Sequence, residues 1–352
     1  MSSVQPDVTT EESVSEDPII EVEGATVVFP SGRGQATPLN NVSVEIERGE
    51  ILGIIGESGS GKSMLGQSLI RAIPDPGYLD GRVTFYPEEG EPIEVTSLND
   101  SQLRSFRWES IALVPQAVQS AFNPTRDVEA HFEETLAAHD ADIEEGLERG
   151  REILESLNLN AENMMRSFGH ELSGGQKQRV LIALSLILDP EVLIMEEPTA
   201  SLDLLMQRQI INLLYDIREE YDITILFISH DLPLVTRFSE RLGIMYAFDL
   251  VETGSAERVI KNPSHPYTRA LLKAIPNLNA PVDTIRGIPG ESPDPVNIPA
   301  GCSYHPRCPL ADDRCEIEDP ARAEIEDEHR VACFYHDQAA DAVPLPFLED
   351  YE

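Results

Sequence analysis

The segment from Ile51 to Ser63 reads ILGIIGESGSGKS and joins two patterns. Its first six residues form a short apolar run, which is typical of a buried β-strand. The eight residues from Gly56 onward match the pattern G-x-x-x-x-G-K-[ST], and a helical stretch begins near Lys62. This pattern requires a strand, a glycine-rich turn and a helix in that order. The segment therefore predicts a nucleotide-binding loop.

Each residue type in this loop has a chemical reason to be there. The glycines let backbone N–H groups wrap around phosphates, and the N-terminus of the following helix adds positive potential. The Lys62 ammonium can reach the β- and γ-phosphate oxygens, and the Ser63 hydroxyl can ligate Mg²⁺. The predicted contacts to the nucleotide are Gly56, Glu57, Ser58, Gly59, Ser60, Gly61, Lys62 and Ser63.

Further strand-like runs follow in a regular order. Residues 18–56 alternate β-branched and polar residues, and strands are predicted at 107–116, 192–196 and 223–229. Strands that alternate with helices predict an α/β fold with a mostly parallel sheet. The region of about 117–171 is acidic and helical, which predicts an inserted helical subdomain. The expected fold class is an α/β P-loop NTPase core with this subdomain and a small C-terminal domain that contains the cysteines.

Composition divides the chain of 352 residues further. Residues 1–17 predict a disordered acidic lead-in without the features of a signal peptide. The main domain is expected over 18–276, a Pro-, Gly- and Cys-rich module over 277–340, and an acidic tail over 341–352. No apolar run approaches the roughly 18 residues of a membrane-spanning helix. We therefore expect a soluble, intracellular protein.

The charge balance is extreme. The chain has 63 acidic and 26 basic residues, which gives a formal net charge of −37. So many negative side chains repel one another at low ionic strength, and this repulsion is screened at molar salt. The simplest interpretation is a solvated acidic surface, and its size suggests a halophilic archaeon as the source. No basic patch stands out, so we expect no nucleic-acid partner.

Residues 172–176 read LSGGQ and are followed by KQR. Alone, this segment could also be a helix N-terminus that is capped by Ser173. Downstream, however, come IMEEP (194–198), ASLD (200–203) and ISHD (228–231). With these motifs in this order, the chain resembles the ABC ATPase family, whose signature motif, Walker B, D-loop and switch histidine they match.

The resemblance implies roles for individual residues. Glu197 would orient the attacking water, with His230 near the γ-phosphate and Gln116 as the Q-loop glutamine that senses Mg²⁺ and water. Phe29 would stack on adenine, although an aromatic residue in an early strand also suits core packing. In this family the signature motif acts on the nucleotide of the opposite subunit, so a monomer should bind ATP and hydrolyse it poorly. The remaining implied nucleotide contacts are Ser173, Gly174, Gly175, Gln176 and Asp203, and the implied Mg²⁺ ligands are Ser63, Gln116 and Glu196.

Two residues depart from the family pattern. Glu196 stands where the family has Asp, and its extra methylene either alters the Mg²⁺ geometry of an active site or marks a slow site in a heterodimer. Phe248 stands where the family usually has a glycine turn, which puts a local hairpin in doubt.

All four cysteines lie near the C-terminus, at Cys302, Cys308, Cys315 and Cys333. An intracellular chain disfavours a structural disulfide pair. Four thiolates can hold Zn²⁺ or an iron–sulfur cluster, although the absence of a C-x₂-C pair weakens the case for zinc. Reduced free cysteines in a packed module are the alternative. Nothing in the sequence places these cysteines near the ATP site.

The tail adds a second resemblance. The motifs NPSHPYTR (262–269) and GIPGESPDPVNIPAGCSYHPRCPLA (287–311) resemble the C-terminal region of oligopeptide and dipeptide importer ATPases. This family implies ATP and Mg²⁺ as cofactors and, in at least some members, a [4Fe–4S] cluster. It also implies a second ABC ATPase subunit, two transmembrane permease subunits and an extracellular solute-binding protein, with this chain at the cytoplasmic face of the membrane. The histidines at 265, 305, 329 and 336 are expected to pack or to lie on the surface.

Other functions remain open at this point. One is a slow-hydrolysing or regulatory nucleotide-binding subunit of a heterodimeric system, which Glu196 motivates. Another is a soluble ABC ATPase in translation or DNA repair. The transported solute, whether a peptide, a sugar or nickel, cannot be inferred because the ATPase subunit does not touch it.

Overall fold

The computed structural model describes residues 18–200, 202–274, 287–326 and 328–345. The predicted acidic lead-in and the end of the predicted acidic tail lie outside the described residues. The strands are β1 (Pro18–Ser31), β2 (Gly34–Glu47), β3 (Ile51–Gly56), β4 (Tyr78–Phe85), β5 (Ile93–Glu94), β6 (Ile111–Val114), β7 (Val192–Glu196), β8 (Thr224–Ile228), β9 (Arg241–Tyr246), β10 (Asp249–Ser255), β11 (Ala323–Glu326) and β12 (His329–Val331). The α-helices are α1 (Lys62–Leu69), α2 (Asp100–Glu109), α3 (Val118–Ala121), α4 (Val128–Ala138), α5 (Ile143–Ser156), α6 (Ala161–Met165), α7 (Gly174–Leu186), α8 (Leu204–Tyr221), α9 (Leu232–Phe238), α10 (Ala256–Lys261), α11 (Pro266–Lys273), α12 (Asp313–Ile317) and α13 (Ala339–Ala342).

The described strands form two sheets. The smaller sheet is antiparallel in the order β2-β1-β4-β5. The larger sheet has the order β11-β12-β10-β9-β3-β8-β7-β6, and its half from β9 to β6 is parallel. The prediction of an α/β fold with a mostly parallel central sheet is confirmed.

Strand β3 lies in the middle of the parallel half and is buried along its whole length. Its residues alternate between two apolar cores. Ile51 and Ile55 belong to the core on the side of the helical region, and Leu52 and Ile54 belong to the core under the antiparallel sheet. Burial on both faces explains why this strand reads as a continuous apolar run. Among the described residues, no helix is both long and apolar enough to cross a membrane.

The strand predicted at 107–116 is shorter than expected. The span of α2 ends at Glu109, with non-helical backbone at Arg107 and Trp108, and β6 begins only at Ile111. The chain turns sharply at Trp108, where φ is 75°. Arg107 holds this turn by donating from Nε to the Ile70 carbonyl at 2.9 Å and from Nη2 to the Arg71 carbonyl at 2.7 Å. These long-range bonds give no local sequence signal.

Phe248 does not prevent the hairpin that its position put in doubt. Strands β9 and β10 pair across a turn in which Ala247 and Phe248 have φ of 48° and 76°. The turn is held from outside, since the Phe248 N–H donates to the Ser60 carbonyl at 3.0 Å and the Asn40 N–H donates to the Phe248 carbonyl at 2.9 Å. The Phe248 ring is buried. Tertiary contacts therefore stabilise a conformation that glycine would adopt alone.

The C-terminal region joins the larger sheet. Strand β12 pairs with β10 and carries β11 at the sheet edge. Behind this junction the buried Glu252 carboxylate accepts hydrogen bonds from the Ser264 N–H, the His265 N–H and His329 Nε2, at 2.7, 3.2 and 2.8 Å. A fully buried carboxylate needs such partners. The network fastens the cysteine-containing region to the core domain.

Candidate nucleotide site

The glycine-rich loop connects β3 to α1 and leaves the start of α1 open. Gly61 takes the N-cap position with φ of 106°, and no side chain of the described residues caps the helix there. A Cβ at Gly61 would lie 2.6 Å from the Pro38 carbonyl oxygen. Glycine is therefore required at this position both by its backbone conformation and by its neighbour. The uncapped N–H groups of the first turn remain available to an anion.

Lys62 is nearly buried behind this loop. Its Nζ donates to the carbonyl oxygens of Gly56 and Glu57 at 2.9 and 2.8 Å. Burial lowers the pKa of Lys62, while the nearby carboxylates of Glu197 and Glu57 act in the opposite direction. The ammonium is thus held at the loop by acceptors that phosphate oxygens can replace.

A cavity of about 440 Å³ opens over the loop. This volume falls within the range of small-molecule sites, roughly 300–1,000 Å³. The fold brings together in its wall five of the eight predicted loop residues, all but Gly56, Glu57 and Ser60, with the three side chains predicted from later motifs. The full lining is Pro38, Ser58, Gly59, Gly61, Lys62, Ser63, Met64, Gln116, Glu197, Ile228 and His230. Sequence reasoning missed Pro38, which reaches the cavity from β2 and carries no motif.

Glu197 follows the end of β7 and is held by the two residues that follow β8. Its Oε1 accepts from the His230 backbone N–H at 3.0 Å and lies 2.7 Å from His230 Nδ1. Its Oε2 accepts from the Ser229 hydroxyl at 3.2 Å. The backbone of Glu197 has φ of 47°, a conformation that is energetically costly for any residue other than glycine. The carboxylate of Glu197 meets His230 in the cavity wall.

Glu196 precedes Glu197 and is almost completely buried at the end of β7. Its Oε1 atom has no hydrogen-bond partner among the described residues. Burial, and then the charge of Glu197, raise the pKa of Glu196 to about 7. A buried carboxylate oxygen without a partner is an incomplete site, which a cation or its water shell would complete.

The residues of LSGGQ lie outside the cavity of their own chain. Ser173 caps α7, with its hydroxyl accepting from the Gln176 N–H at 3.3 Å and the Gln176 side chain accepting from the Ser173 N–H at 2.9 Å. The capping interpretation is therefore correct as local structure, and it leaves open a further role toward a second chain. Gly175 packs against α8, where an added Cβ would lie 2.2 Å from Met206 Cε. Asp203 caps α8 in the same way, by accepting from the Leu205 and Met206 N–H groups.

Phe29 lies on β1 and is partly buried. Its ring sits against Gly77, where an added Cβ would approach it to 2.5 Å. The ring does not line the cavity described above. Stacking of Phe29 on a base therefore stays a prediction.

The C-terminal region meets the glycine-rich loop at Glu57. Arg307 pairs with the Glu57 carboxylate through two hydrogen bonds of 2.8 and 3.0 Å. Arg307 directly precedes Cys308, so the cysteine-containing region contacts the glycine-rich loop, a neighbourhood that no sequence pattern indicated. Sequence reasoning missed this contact since 250 residues separate its partners. The only available signal was the pair of tail motifs, HPYTR and HPRCP.

The four cysteines line one small cavity together with Tyr304, His265 and their neighbours. All four are free thiols. Burial raises the pKa of Cys302 to about 11 and that of Cys333 to about 12, and the other cysteines of the group add to both shifts. Among the described residues, no three His, Cys, Asp or Glu side chains are grouped closely enough to hold a metal ion.

Comparisons with known proteins agree with this geometry. Residues 39–200 match a family model described as ABC transporter, and residues 251–315 match a model described as oligopeptide/dipeptide transporter, C-terminal region. The chain is 38% identical over 323 residues to the dipeptide transport ATP-binding protein DppD of Caldanaerobacter subterraneus, which covers 91% of this chain and 98% of that protein. It is 34% identical over 325 residues to the probable D,D-dipeptide transport ATP-binding protein DdpD of Escherichia coli, with the same coverage.

Solved structures show the same core. The dimeric structure of MJ0796, a bacterial ABC transporter cassette, matches with a TM-score of 0.58 and 29% identity, and the match covers 67% of this chain and 98% of that chain. A dimeric post-hydrolysis state of MJ0796, bound to ADP and Pi, matches with the same TM-score and 28% identity. The alignment with DppD covers 91% of this chain. The chain therefore belongs to the ABC transporter ATP-binding proteins of the dipeptide and oligopeptide import type.

Proposed function

We propose that this chain is the ATP-hydrolysing subunit of an ABC importer that takes up peptides or a related solute. The observation that carries the proposal is the single cavity whose wall contains Lys62, Ser63, Gln116 and the hydrogen-bonded pair of Glu197 and His230. A phosphate-binding loop faces a carboxylate that can orient water, which is the arrangement that phosphoryl transfer to water requires. The reaction is the hydrolysis of ATP to ADP and phosphate.

The residues fit Mg²⁺-ATP. Ser63 lies on the open turn of α1 in the cavity wall, Gln116 faces it, and Glu196 supplies a buried oxygen without a partner. These three would hold the ion, which would neutralise phosphate charge. Lys62 binds phosphate oxygens, and His230 holds the Glu197 carboxylate in place.

The second half of the site comes from another subunit in this proposal. Ser173, Gly174, Gly175, Gln176 and Asp203 lie at the starts of α7 and α8, outside the cavity of their own chain. A helix N-terminus favours an anion, so the start of α7 is suited to the phosphates held by a second ATPase subunit. The two dimeric cassettes that resemble this chain support this arrangement.

The test is turnover in the assembled complex. Glu197→Gln keeps the size of the side chain and removes the base, so ATP hydrolysis should fall at least about a hundredfold while ATP binding persists. Glu171→Gln is a matched control, because Glu171 caps a turn at Phe168 outside the cavity. Unchanged turnover in Glu197→Gln would contradict the assignment of Glu197.

Peptide import is supported by the two relatives, which are dipeptide transport ATP-binding proteins. The partners are then two permease subunits, an extracellular solute-binding protein and a second, related ATPase, with this chain at the cytoplasmic face of the membrane. Purification of the complex, followed by measurement of ATPase stimulation by peptides, sugars and nickel in the presence of the binding protein, tests this part. Stimulation by nickel or sugars alone would refute peptide uptake.

A slow-hydrolysing subunit is the second candidate, and Glu196 favours it. The Glu196→Asp variant restores the usual Walker B carboxylate, and its turnover in the assembled complex decides between the two. A rise of about a hundredfold, close to 2.7 kcal/mol in the barrier, identifies a degenerate site, and turnover within a few-fold of the natural protein identifies an active one.

The four cysteines are proposed to hold an iron–sulfur cluster. The four free thiols line one cavity, and four cysteine thiolates are the usual ligand set of such a cluster. Protein purified without oxygen should contain about four iron atoms per chain and absorb visible light. Stoichiometric zinc without iron, or no metal at all, would refute the cluster.

The net charge of −37 supports a further proposal, that the protein works in a salt-rich cytoplasm such as that of a halophilic archaeon.

A further inference from the structure

Glu57, the second residue of the glycine-rich P-loop, is held by the C-terminal region of the same chain. The Arg307 guanidinium donates two hydrogen bonds to the Glu57 carboxylate, from Nη1 to Oε2 at 2.8 Å and from Nη2 to Oε1 at 3.0 Å. The Ser292 hydroxyl donates to Oε2 at 3.1 Å. The side chain of Arg307 is only 5% exposed and that of Glu57 only 23%, so solvent screens the pair little. Such a two-pronged bond fixes direction as well as distance.

The backbone of Glu57 is held as well. Its N–H donates to the Tyr267 hydroxyl at 3.0 Å, and its carbonyl oxygen accepts from Lys62 Nζ at 2.8 Å. Tyr267 is buried and packs against Tyr246 and Tyr304, with ring centroids 4.5 and 5.5 Å away. Every polar group of Glu57 thus has a partner, and most of these partners come from residues after 260.

Arg307 is itself anchored on its own side of the contact. Its Nε donates to the Pro289 carbonyl at 2.6 Å, and its guanidinium lies over the ring of Tyr246, 5.6 Å from the centroid. The guanidinium therefore has one preferred position, from which it presents its two terminal nitrogens to the P-loop. Lysine at this site would offer one point charge instead of a planar fork.

We propose that Arg307 is a positioning residue that fixes Glu57, and through it the P-loop, so that the C-terminal region sets the affinity of this chain for nucleotide. Arg307 does not touch the cavity and acts only through Glu57. The inference rests on the proposed role of the P-loop in phosphate binding. It makes the tail beside the cysteines a working part of the nucleotide site.

Two physical effects lead to this result. A loop that is already ordered loses less conformational freedom when it wraps the phosphates, so binding is tighter. The Arg307 charge also offsets the Glu57 carboxylate, which would otherwise leave an uncompensated negative charge in the loop that is proposed to bind phosphates. Removal of Arg307 should therefore weaken the binding of ATP and of ADP.

The test measures the dissociation constants of ATP and ADP by equilibrium titration with fluorescent analogues, which needs no turnover. The full chain is compared as wild type, Arg307→Gln, Glu57→Gln and the double variant. Arg307→Gln should weaken binding about tenfold, which corresponds to 1.4 kcal/mol. In the Glu57→Gln background the same substitution should change binding less than twofold, because a residue that acts through Glu57 has no effect once its partner is removed.

Asp294→Asn is the matched control. The carboxylate of Asp294 pairs with Arg33 at 3.1 Å, so it also joins the C-terminal region to the core domain, through a residue that is not part of the P-loop. Its variant should bind nucleotide like the wild type. Equal weakening in Asp294→Asn would show that docking in general matters and would overturn the proposal. The thermal midpoint of each variant, measured without nucleotide, shows that it is folded.

Two further variants distinguish the positioning role of Arg307 from the phosphate-binding role of the P-loop. If Arg307→Gln does not fold, Arg307→Lys retains the charge without the fork, and wild-type affinity in that variant overturns the positioning role. Lys62→Ala tests the P-loop itself: wild-type affinity there refutes the proposed phosphate site. Loss of binding in Lys62→Ala together with normal binding in Arg307→Gln refutes only the inference about Arg307.

Discussion

The affinity of the site for Mg²⁺ should depend on pH through Glu196. Its carboxyl is buried, lacks a partner at Oε1 and has a pKa raised to about 7, first by burial and then by the charge of Glu197. Only the ionised form can support the Mg²⁺ shell. Between pH 6 and pH 8 the ionised fraction rises from about one-tenth to about nine-tenths, so the apparent affinity should rise about tenfold.

The assay is a titration of the full chain with Mn²⁺ as a paramagnetic substitute for Mg²⁺, at saturating non-hydrolysable ATP analogue and at several pH values. The nucleotide also loses a proton in this range, since a terminal phosphate has its second pKa near 6. Glu196→Gln provides the control, because it retains the contribution of the nucleotide and removes that of the carboxyl. The ratio of the two profiles isolates Glu196.

Glu197→Gln adds a second check, because loss of the neighbouring charge should move the Glu196 midpoint to lower pH. A wild-type profile that coincides with that of Glu196→Gln would refute the reasoning. The same group affects folding with a defined sign. Its pKa rises from 4.5 in the unfolded chain to about 7 in the folded one, so its contribution to stability is complete below pH 4.5 and is lost as the pH rises through 7.

Three other predictions follow from single contacts and from charge. If Gly175 approaches the nucleotide of a second subunit, Gly175→Ala should lower turnover of the assembled complex at least about tenfold. Within its own chain the added Cβ meets only the flexible end of Met206, so the urea unfolding of the isolated subunit should change little. Turnover equal to that of the wild type would count against a site shared between subunits. Phe248→Gly relieves the strain of a positive φ but removes a buried ring. Because the lost packing of about 3–5 kcal/mol exceeds the relieved strain of about 1–3 kcal/mol, the free energy of unfolding should fall by roughly 2 kcal/mol. An increase in this free energy would show that the strain is the larger effect. The thermal midpoint should rise from 0.1 M to 1 M KCl as the Debye length shortens from about 10 to about 3 Å, and a midpoint independent of salt would argue against adaptation to high salt.

The parts of this molecule that could be predicted from sequence are those with a local pattern. The apolar run of β3, the start of α1 at Lys62 and the strand β7 are encoded by residues that are adjacent in the chain. The cavity wall was also predictable, because the carboxyl ends of neighbouring parallel strands meet at one edge of the sheet. Gln116, Glu197 and His230 follow three such strands.

What could not be predicted depends on contacts between distant residues. Strand β6 is short because Arg107 bonds to carbonyls of the turn after α1. The hairpin at Phe248 survives without glycine because the P-loop and β2 hold its backbone. Neither effect leaves a periodicity or a spacing in the sequence. A sequence motif identifies the residues of the nucleotide site, whereas the contacts that hold those residues in place are visible only in the folded structure.

The HPY sequence of the tail shows how a motif acquires a physical meaning. The His265 side chain accepts from the Tyr267 N–H at 3.0 Å and caps α11, and Pro266 occupies the first turn, where a missing N–H carries no penalty. This start of α11 directs the Tyr267 hydroxyl to the Glu57 N–H of the P-loop. The three residues are thus a cap, a helix start and a contact to the nucleotide loop. Since Arg307 grips the side chain of the same Glu57, two separate tail motifs converge on one P-loop residue, and the tail belongs physically to the nucleotide site.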